Sequence, residues 1–193
     1  MKATWAPITI DERLCGADDQ QLIQWAKDDR QAFAELYRRH APAVFWYLLT
    51  YSASESDAAD LTQQVFLRAL EALPRYQQRT VLVRPWLLRI ARNAAIDAHR
   101  RRRYRSTWRH VEVVLLPDHG PGPEALAIRR EEAGRVSVLL GQLSDEKREL
   151  LALRFAGDLT IAEIAEVVGK NEEAVKKQLQ RLVRWLKEEC DAN

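Results

Sequence analysis

The chain has 193 residues, 47% hydrophobic and 30% charged, with a formal net charge of +2. That balance suits a soluble chain able to bury one large core or two modest ones, rather than an intrinsically disordered one. No apolar run approaches the roughly 20 residues that span a bilayer, the first residues lack a secretory signal, and Cys15 and Cys190 stand at opposite ends without the spacing of a disulfide framework or zinc site.

The small net charge conceals a strong asymmetry. Acids dominate the early part (Asp11, Glu12, Asp18, Asp19, Asp28, Asp29, Glu35), whereas nine arginines face the single acid Asp97 between Arg84 and Arg109. A second basic stretch, 174–187, carries Lys176, Lys177, Arg181, Arg184 and Lys187 and no acid. Two separate basic surfaces point to two contacts with a polyanion, or to attraction by a membrane surface.

Nearly every periodic segment has the 3.6-residue period of an amphipathic helix. Residues 18–39 place Leu22, Ile23, Ala26, Phe33, Leu36 and Tyr37 at helical spacing, and after Pro42 the stretch VFWYLLTY predicts a second helix. Segment 55–73 sets Ala58, Leu61, Val65 and Ala69 on one side, with Asp60, Gln63, Gln64 and Glu71 elsewhere, and Pro74 stops it. The proline-bounded PRYQQRTVLVRP reads as a loop. Helix 85–102 then buries Trp86, Ile90, Ala94 and Ala98. HVEVVLL reads as an isolated extended segment. DHGPGPEA (118–125) is the clearest boundary, because Gly and Pro do not propagate a helix. Helical patterns follow over about 124–142 and 144–156, then a tight pair. The expected architecture is all-α: two small helical domains joined by a flexible linker, the C-terminal one containing a helix-turn-helix.

The pair TIAEIAEVVGKNEEAVKKQLQRLVRWLKE (160–188) is the sharpest local signal. Thr160 and Glu163 have capping-box spacing, Gly169 suits a left-handed C-cap, and Asn171 is a good N-cap for the next helix. Val175, Leu179, Leu182 and Leu186 form its apolar stripe, which leaves Lys176, Lys177, Gln178, Gln180, Arg181 and Arg184 available to base edges or phosphates. A plain helical hairpin with a solvated basic face is the simpler alternative.

Helix 85–105 ends with five arginines in six positions. One or two would complement the helix dipole, but five repel one another unless a polyanion offsets them. Its outward side presents Arg89, Arg92, Asn93, Ile96, Arg100 and Arg103, with Trp86 at the start. Arginines beside an amide and an aromatic suit phosphates and an unstacked base. The spacing of Trp86 fits the core better than a contact.

DAADLTQQVFLRAL (57–70), RPWLLRIARNAAIDAHRRRR (84–103) and LSDEKRELLALRFAGDLTIAEIAEVVGKNEEAVKKQLQRL (143–182), in that order, resemble an extracytoplasmic-function sigma factor of the sigma-70 family. The likeness covers roughly 18–188. It implies an N-terminal extension (1–17), a region 2 domain (18–105) that binds core RNA polymerase and the minus-10 element, a linker (106–125) and a region 4 domain (126–193) that reads the minus-35 element. On that resemblance Asp60, Gln63, Gln64 and Arg68 contact the clamp coiled coil of the largest polymerase subunit. Tyr76, Trp86, Arg89, Arg92, Asn93, Arg100 and Arg103 face the minus-10 strand, with Tyr76 a stacking platform. The helix-turn-helix residues face the minus-35 duplex.

Where the family often reads T-V-K-S-R, this chain has Ala174, Val175, Lys176, Lys177 and Gln178. A Gln amide favours adenine where Arg favours guanine, so the base preference is expected to differ. Glu172 and Glu173 suit the helix dipole at the entry to this helix but repel nearby phosphates.

The chain carries no phosphate-binding loop, nucleophile elbow or metal-ligand spacing, and its four histidines are dispersed. The expectation is a cytoplasmic, non-enzymatic specificity subunit with no cofactor, partnered by core polymerase, promoter DNA and an anti-sigma factor, and not inserted in a membrane. A stand-alone helix-turn-helix regulator and a helical adaptor are the rivals. The first leaves 57–105 unexplained, and the second predicts no promoter-dependent effect.

Overall fold

The computed structural model describes residues 12–77, 82–103, 136 and 138–191. The expected linker at 106–125 and the extended segment HVEVVLL lie outside the described residues. Chain order is α1 (Glu12–Gly16), α2 (Asp19–Trp25), α3 (Arg30–Leu49), α4 (Glu55–Ala72), a 3-10 turn (Leu73–Arg75) and α5 (Val83–Arg103). Helical residues 138–142 precede α6 (Asp145–Leu151), which widens into a π turn (Ala152–Ala156) before α7 (Ile161–Val168) and α8 (Glu172–Asp191). Among the described residues there is no strand.

Short polar side chains set most boundaries. Asp18 forms a capping box with Gln21 at α2, Asp29 accepts from Gln31 N at 2.8 Å to start α3, and Ser54 accepts from Asp57 N at α4. One boundary differs from the sequence expectation. Pro42 lies inside α3, and the chain breaks instead at residues 26–29. Pro costs one backbone bond there, but the buried row Leu36, His40, Val44, Tyr47 and Leu48 runs across it at helical spacing. Burial of those side chains outweighs one lost bond.

Among the first five helices, α1, α2 and α5 pack around the α3–α4 pair. Leu22, Ile23, Leu48, Val65, Ala69, Leu88 and Ala91 are sealed from solvent. A second group (Leu150, Leu153, Leu159, Ile164, Val175, Leu179) fills the C-terminal helices, and the two groups are continuous. They meet where α3 packs on the π turn and α5 packs on α7. At Gly157 an added Cβ would lie 2.8 Å from Leu88 Cδ1 and 2.7 Å from the Leu153 carbonyl oxygen, so only Gly permits this approach.

Arg39 ties α1 and the turn after it to α3. Its guanidinium donates to the carbonyls of Leu14 (3.0 Å), Cys15 (3.1 Å) and Ala17 (2.7 Å), which include backbone acceptors left open at the end of α1. Glu35 orients it at 2.7 Å. The hydrogen bond from Arg38, opposed by burial and aided by Arg39, holds the Glu35 carboxyl down at about 2.

Next to this clamp His40 is buried, its Nε2 2.7 Å from Asp19 Oδ2. Burial pushes its pKa below the ordinary 6.5, and Asp19 only partly offsets burial and the positive charges of Arg84 and Arg39. The unfolded chain therefore binds this proton more readily, and neutral His40 contributes stability that is complete above 6.5 and lost as pH falls below it. Denaturant unfolding across that range should show stability declining by at most about 1.4 kcal/mol per pH unit from this group, and His40→Gln should flatten that part of the slope.

Candidate nucleic-acid interface

On α5, Trp86, Leu87, Leu88, Ala91, Ala94 and Ala95 are buried, which turns the polar positions to the opposite side. Asn93 and Arg100 are exposed, as is Ile96. The side chain of Arg103 lies outside the described residues. The two aromatics that the resemblance assigns to this surface are buried, as the spacing of Trp86 indicated but that of Tyr76 did not. Tyr76 and Trp86 are 6% and 8% exposed and pack against each other, ring centroids 4.8 Å apart. Each ring covers the other, so neither offers an open face to a base in this conformation. Burial also raises the Tyr76 hydroxyl pKa.

Three guanidiniums at the start and middle of α5 meet carboxylates of the C-terminal helices. Arg84 lies 3.0 Å from Asp158, Arg89 3.9 Å from Glu166, and Arg92 donates to Glu149 at 2.8 Å. The last pair is the most enclosed: the side chains are 28% and 11% exposed, and the Tyr47 hydroxyl donates to the same carboxylate at 3.2 Å. Burial works against the Arg92 charge, but Glu149 outweighs it and raises its pKa. Burial raises the hydroxyls of Tyr47 and Tyr51, with the Glu149 charge adding to it. Sequence reasoning placed Arg89 and Arg92 outward but missed the partners of all three arginines, which lie 57 residues or more away.

On α4, Asp60, Gln63 and Gln64 are exposed together, whereas Arg68 is half-buried and 3.6 Å from Asp97 of α5. Leu67 and Leu70 share the outer side, 61% and 44% exposed, and Tyr37 of α3 is also exposed. Sequence reasoning missed these apolar residues. Their signal was present, since Leu67 and Leu70 fall off the stripe formed by Leu61, Val65 and Ala69.

The helix-turn-helix has the expected caps. Thr160 N donates to Glu163 Oε2 (2.7 Å), Glu163 N donates to Thr160 Oγ1 (3.3 Å), and Gly169 is left-handed at φ 69°. Glu173 N donates to Asn171 Oδ1 at 2.9 Å. α8 buries Val175, Leu179 and Leu182. Lys177, Gln180, Arg181 and Arg184 line its exposed side, with Lys176 and the half-buried Gln178 at either margin. Gln178 Nε2 donates to Glu146 at 3.2 Å, and Lys170 pairs with the same carboxylate oxygen.

Among the described residues no group of three or more His, Cys, Asp or Glu could hold a metal, and no helix is long and apolar enough to cross a membrane.

The family descriptions Sigma-70 region 2 and Sigma-70, region 4 match residues 36–105 and 133–186. The chain is 33% identical over 181 residues to the ECF RNA polymerase sigma factor SigD of Mycobacterium tuberculosis, covering 90% of this chain and 84% of SigD. It is 30% identical over 167 residues to the ECF RNA polymerase sigma factor BldN of Streptomyces coelicolor, covering 86% of this chain but only 63% of BldN. Its fold matches the sigma factor RpoE solved with the anti-sigma factor NepR from Bartonella quintana, with TM-score 0.65 and 19% identity over 83% of this chain and 98% of RpoE.

Removing either member of the Arg92–Glu149 pair strands a largely enclosed charge, at a cost of about 2 kcal/mol to the packing of one set of helices on the other. Small-angle scattering of Arg92→Ala should therefore give a larger radius of gyration than the parent. Glu149→Ala should do the same, and the double variant should add little, because both changes delete one shared interaction.

Proposed function

This chain belongs to the extracytoplasmic-function group of the sigma-70 family, and we propose that it is the dissociable subunit that directs core RNA polymerase to promoters. The observation that supports this reading best is the pairing of an arginine-faced α5 with a fully capped helix-turn-helix on one chain. A regulator using only the helix-turn-helix would not need the arginine row. An adaptor would not need an α8 whose outer side is lined by Lys177, Gln180, Arg181 and Arg184.

Each surface has chemistry suited to its target. Asn93 and Arg100 stand free on α5 for an unwound minus-10 strand, with phosphates as partners for the arginines. The exposed side of α8 enters the major groove at the minus-35 duplex, where its N-terminal turns approach base edges. Asp60, Gln63 and Gln64, together with the exposed Leu67 and Leu70, form a mixed polar and apolar face suited to the polymerase clamp. The domain division at 18–105 and 126–193 follows from the same reading. Polymerase performs the chemistry in the cytoplasm, and this chain contributes recognition and strand opening.

The observed conformation is not the one that reads DNA. Arg84, Arg89 and Arg92 are engaged by Asp158, Glu166 and Glu149, so the two halves separate before α5 can accept a strand. Phosphates then replace carboxylates as the counter-charges. The solved RpoE–NepR complex supports control of this chain by an anti-sigma factor as well.

Run-off transcription from the DNA upstream of this gene tests the proposal. Discrete transcripts only when core polymerase and this protein are both present support it. Tight duplex binding without polymerase, and no effect on core polymerase, overturns it. Within a working promoter complex, Arg100→Ala with Arg103→Ala should weaken binding and lower the slope of log affinity against log salt. The expected decrease is about 0.7 for each single-strand phosphate that the variant no longer neutralises. Filter binding or fluorescence anisotropy across a salt series measures that slope.

A further inference from the structure

Three parts of the C-terminal helices converge on one carboxylate oxygen. Glu146, in the first turn of α6, accepts from the Gln178 amide of α8 at 3.2 Å and from the ammonium of Lys170 in the turn between α7 and α8. Gln178 lies in the second turn of α8, half-buried at the margin of its exposed side.

An unrestrained Gln amide can rotate to present either its oxygen or its NH2 group outward, and each orientation matches a different base edge. A carboxylate removes that freedom, because it accepts hydrogen bonds and cannot donate one. We propose that Glu146 is a positioning residue for promoter specificity, holding the Gln178 amide in the orientation that reads adenine in the upstream element. This rests on the promoter reading above. With one N–H committed to Glu146, Gln178 retains its carbonyl oxygen and its second N–H side by side. That acceptor–donor pair complements the N6 donor and N7 acceptor of adenine in the major groove.

Lys170 completes the arrangement. A lone carboxylate next to DNA repels phosphates, but the Lys170 ammonium offsets its charge where it stands. The Lys170 hydrogen bond first, and the Gln178 bond second, hold the Glu146 carboxyl below its ordinary range, so the acceptor stays ionised at neutral pH. The effect of Glu146 therefore falls on which base is read rather than on how tightly DNA is held.

The test uses holoenzyme, this chain with core polymerase, and a promoter library in which every upstream base pair is varied one at a time. The parent should favour A·T at one position by about tenfold or more, the discrimination typical of a bidentate amide–adenine pair. Gln178→Ala should lose that preference at the same position. Glu146→Ala should also lose it, keep the preferences elsewhere, and bind mismatched promoters at least as tightly as the parent. Glu146→Gln keeps the size and shape of the side chain, but its amide can donate as well as accept and so holds Gln178 in neither orientation; it should lose the preference too, which a merely structural role for Glu146 would not predict. Glu146→Ala that keeps the preference, or weakens all positions evenly, overturns the inference while the parent still initiates. Absence of promoter-dependent transcripts from the parent holoenzyme overturns the promoter reading itself.

Discussion

The arrangement of the whole molecule depends on how the positive charge of α5 is neutralised. Arg92 is drawn into a site where its side chain is 28% exposed, and Glu149, 11% exposed, accepts from it at 2.8 Å. Neither charge could occupy that site alone, because an enclosed unpaired ion loses hydration that nothing replaces. Tyr47 donates to the same carboxylate and links the pair to the middle of α3. The Leu88–Gly157 approach then brings α5 against the π turn closely enough for Arg84 and Arg89 to meet Asp158 and Glu166. Those outer pairs are well exposed and contribute little energy on their own, but they keep the arginine row covered.

The same property lets the arrangement be reversible. An arginine gains from any well-placed anionic oxygen, whether carboxylate or phosphate, and its planar fork suits both. Replacing Glu149 by a phosphate therefore exchanges one charge pair for another, and α5 never has to be buried unpaired. Opening gives up the apolar packing around Leu88 and the Tyr47 hydrogen bond.

Within each half, stability and recognition rest on different residues. Arg39 gathers the open carbonyls near the end of α1 and leaves the outer side of α4 untouched. Val175, Leu179 and Leu182 seat α8, so its basic residues need contribute nothing to packing. Tyr76 and Trp86 spend their aromatic surface on each other beneath the start of α5. Asn93, Arg100, Lys177 and Arg181 are exposed and take no part in this packing.

This division explains how much was legible in the sequence. The helix-turn-helix could be read to the residue, because Thr160, Glu163, Gly169 and Asn171 act within three or four positions of their partners. The apolar stripes of α4 and α8 were also legible, since helical periodicity is local, whereas on α5 the buried face is turned toward Leu88 and Ala95 and leaves Ile90 and Ala98 half-buried. The all-α class and the two basic surfaces followed from those patterns and from the placement of the arginines. Local rules failed where distant packing overrode them. Pro42 is carried inside α3 by the core row on either side of it, and Tyr76 is buried because Trp86, across the 77–82 connection, folds back onto it. The partners of Arg84, Arg89 and Arg92, and the hold of Glu146 on Gln178, depend on elements 32 to 77 residues apart in sequence, as Gln178 is from Glu146 and Glu166 is from Arg89. A sequence records which side chains carry charge and which face of a helix they occupy. Only the tertiary structure decides which opposite charge each one meets, because that depends on how separate helices pack.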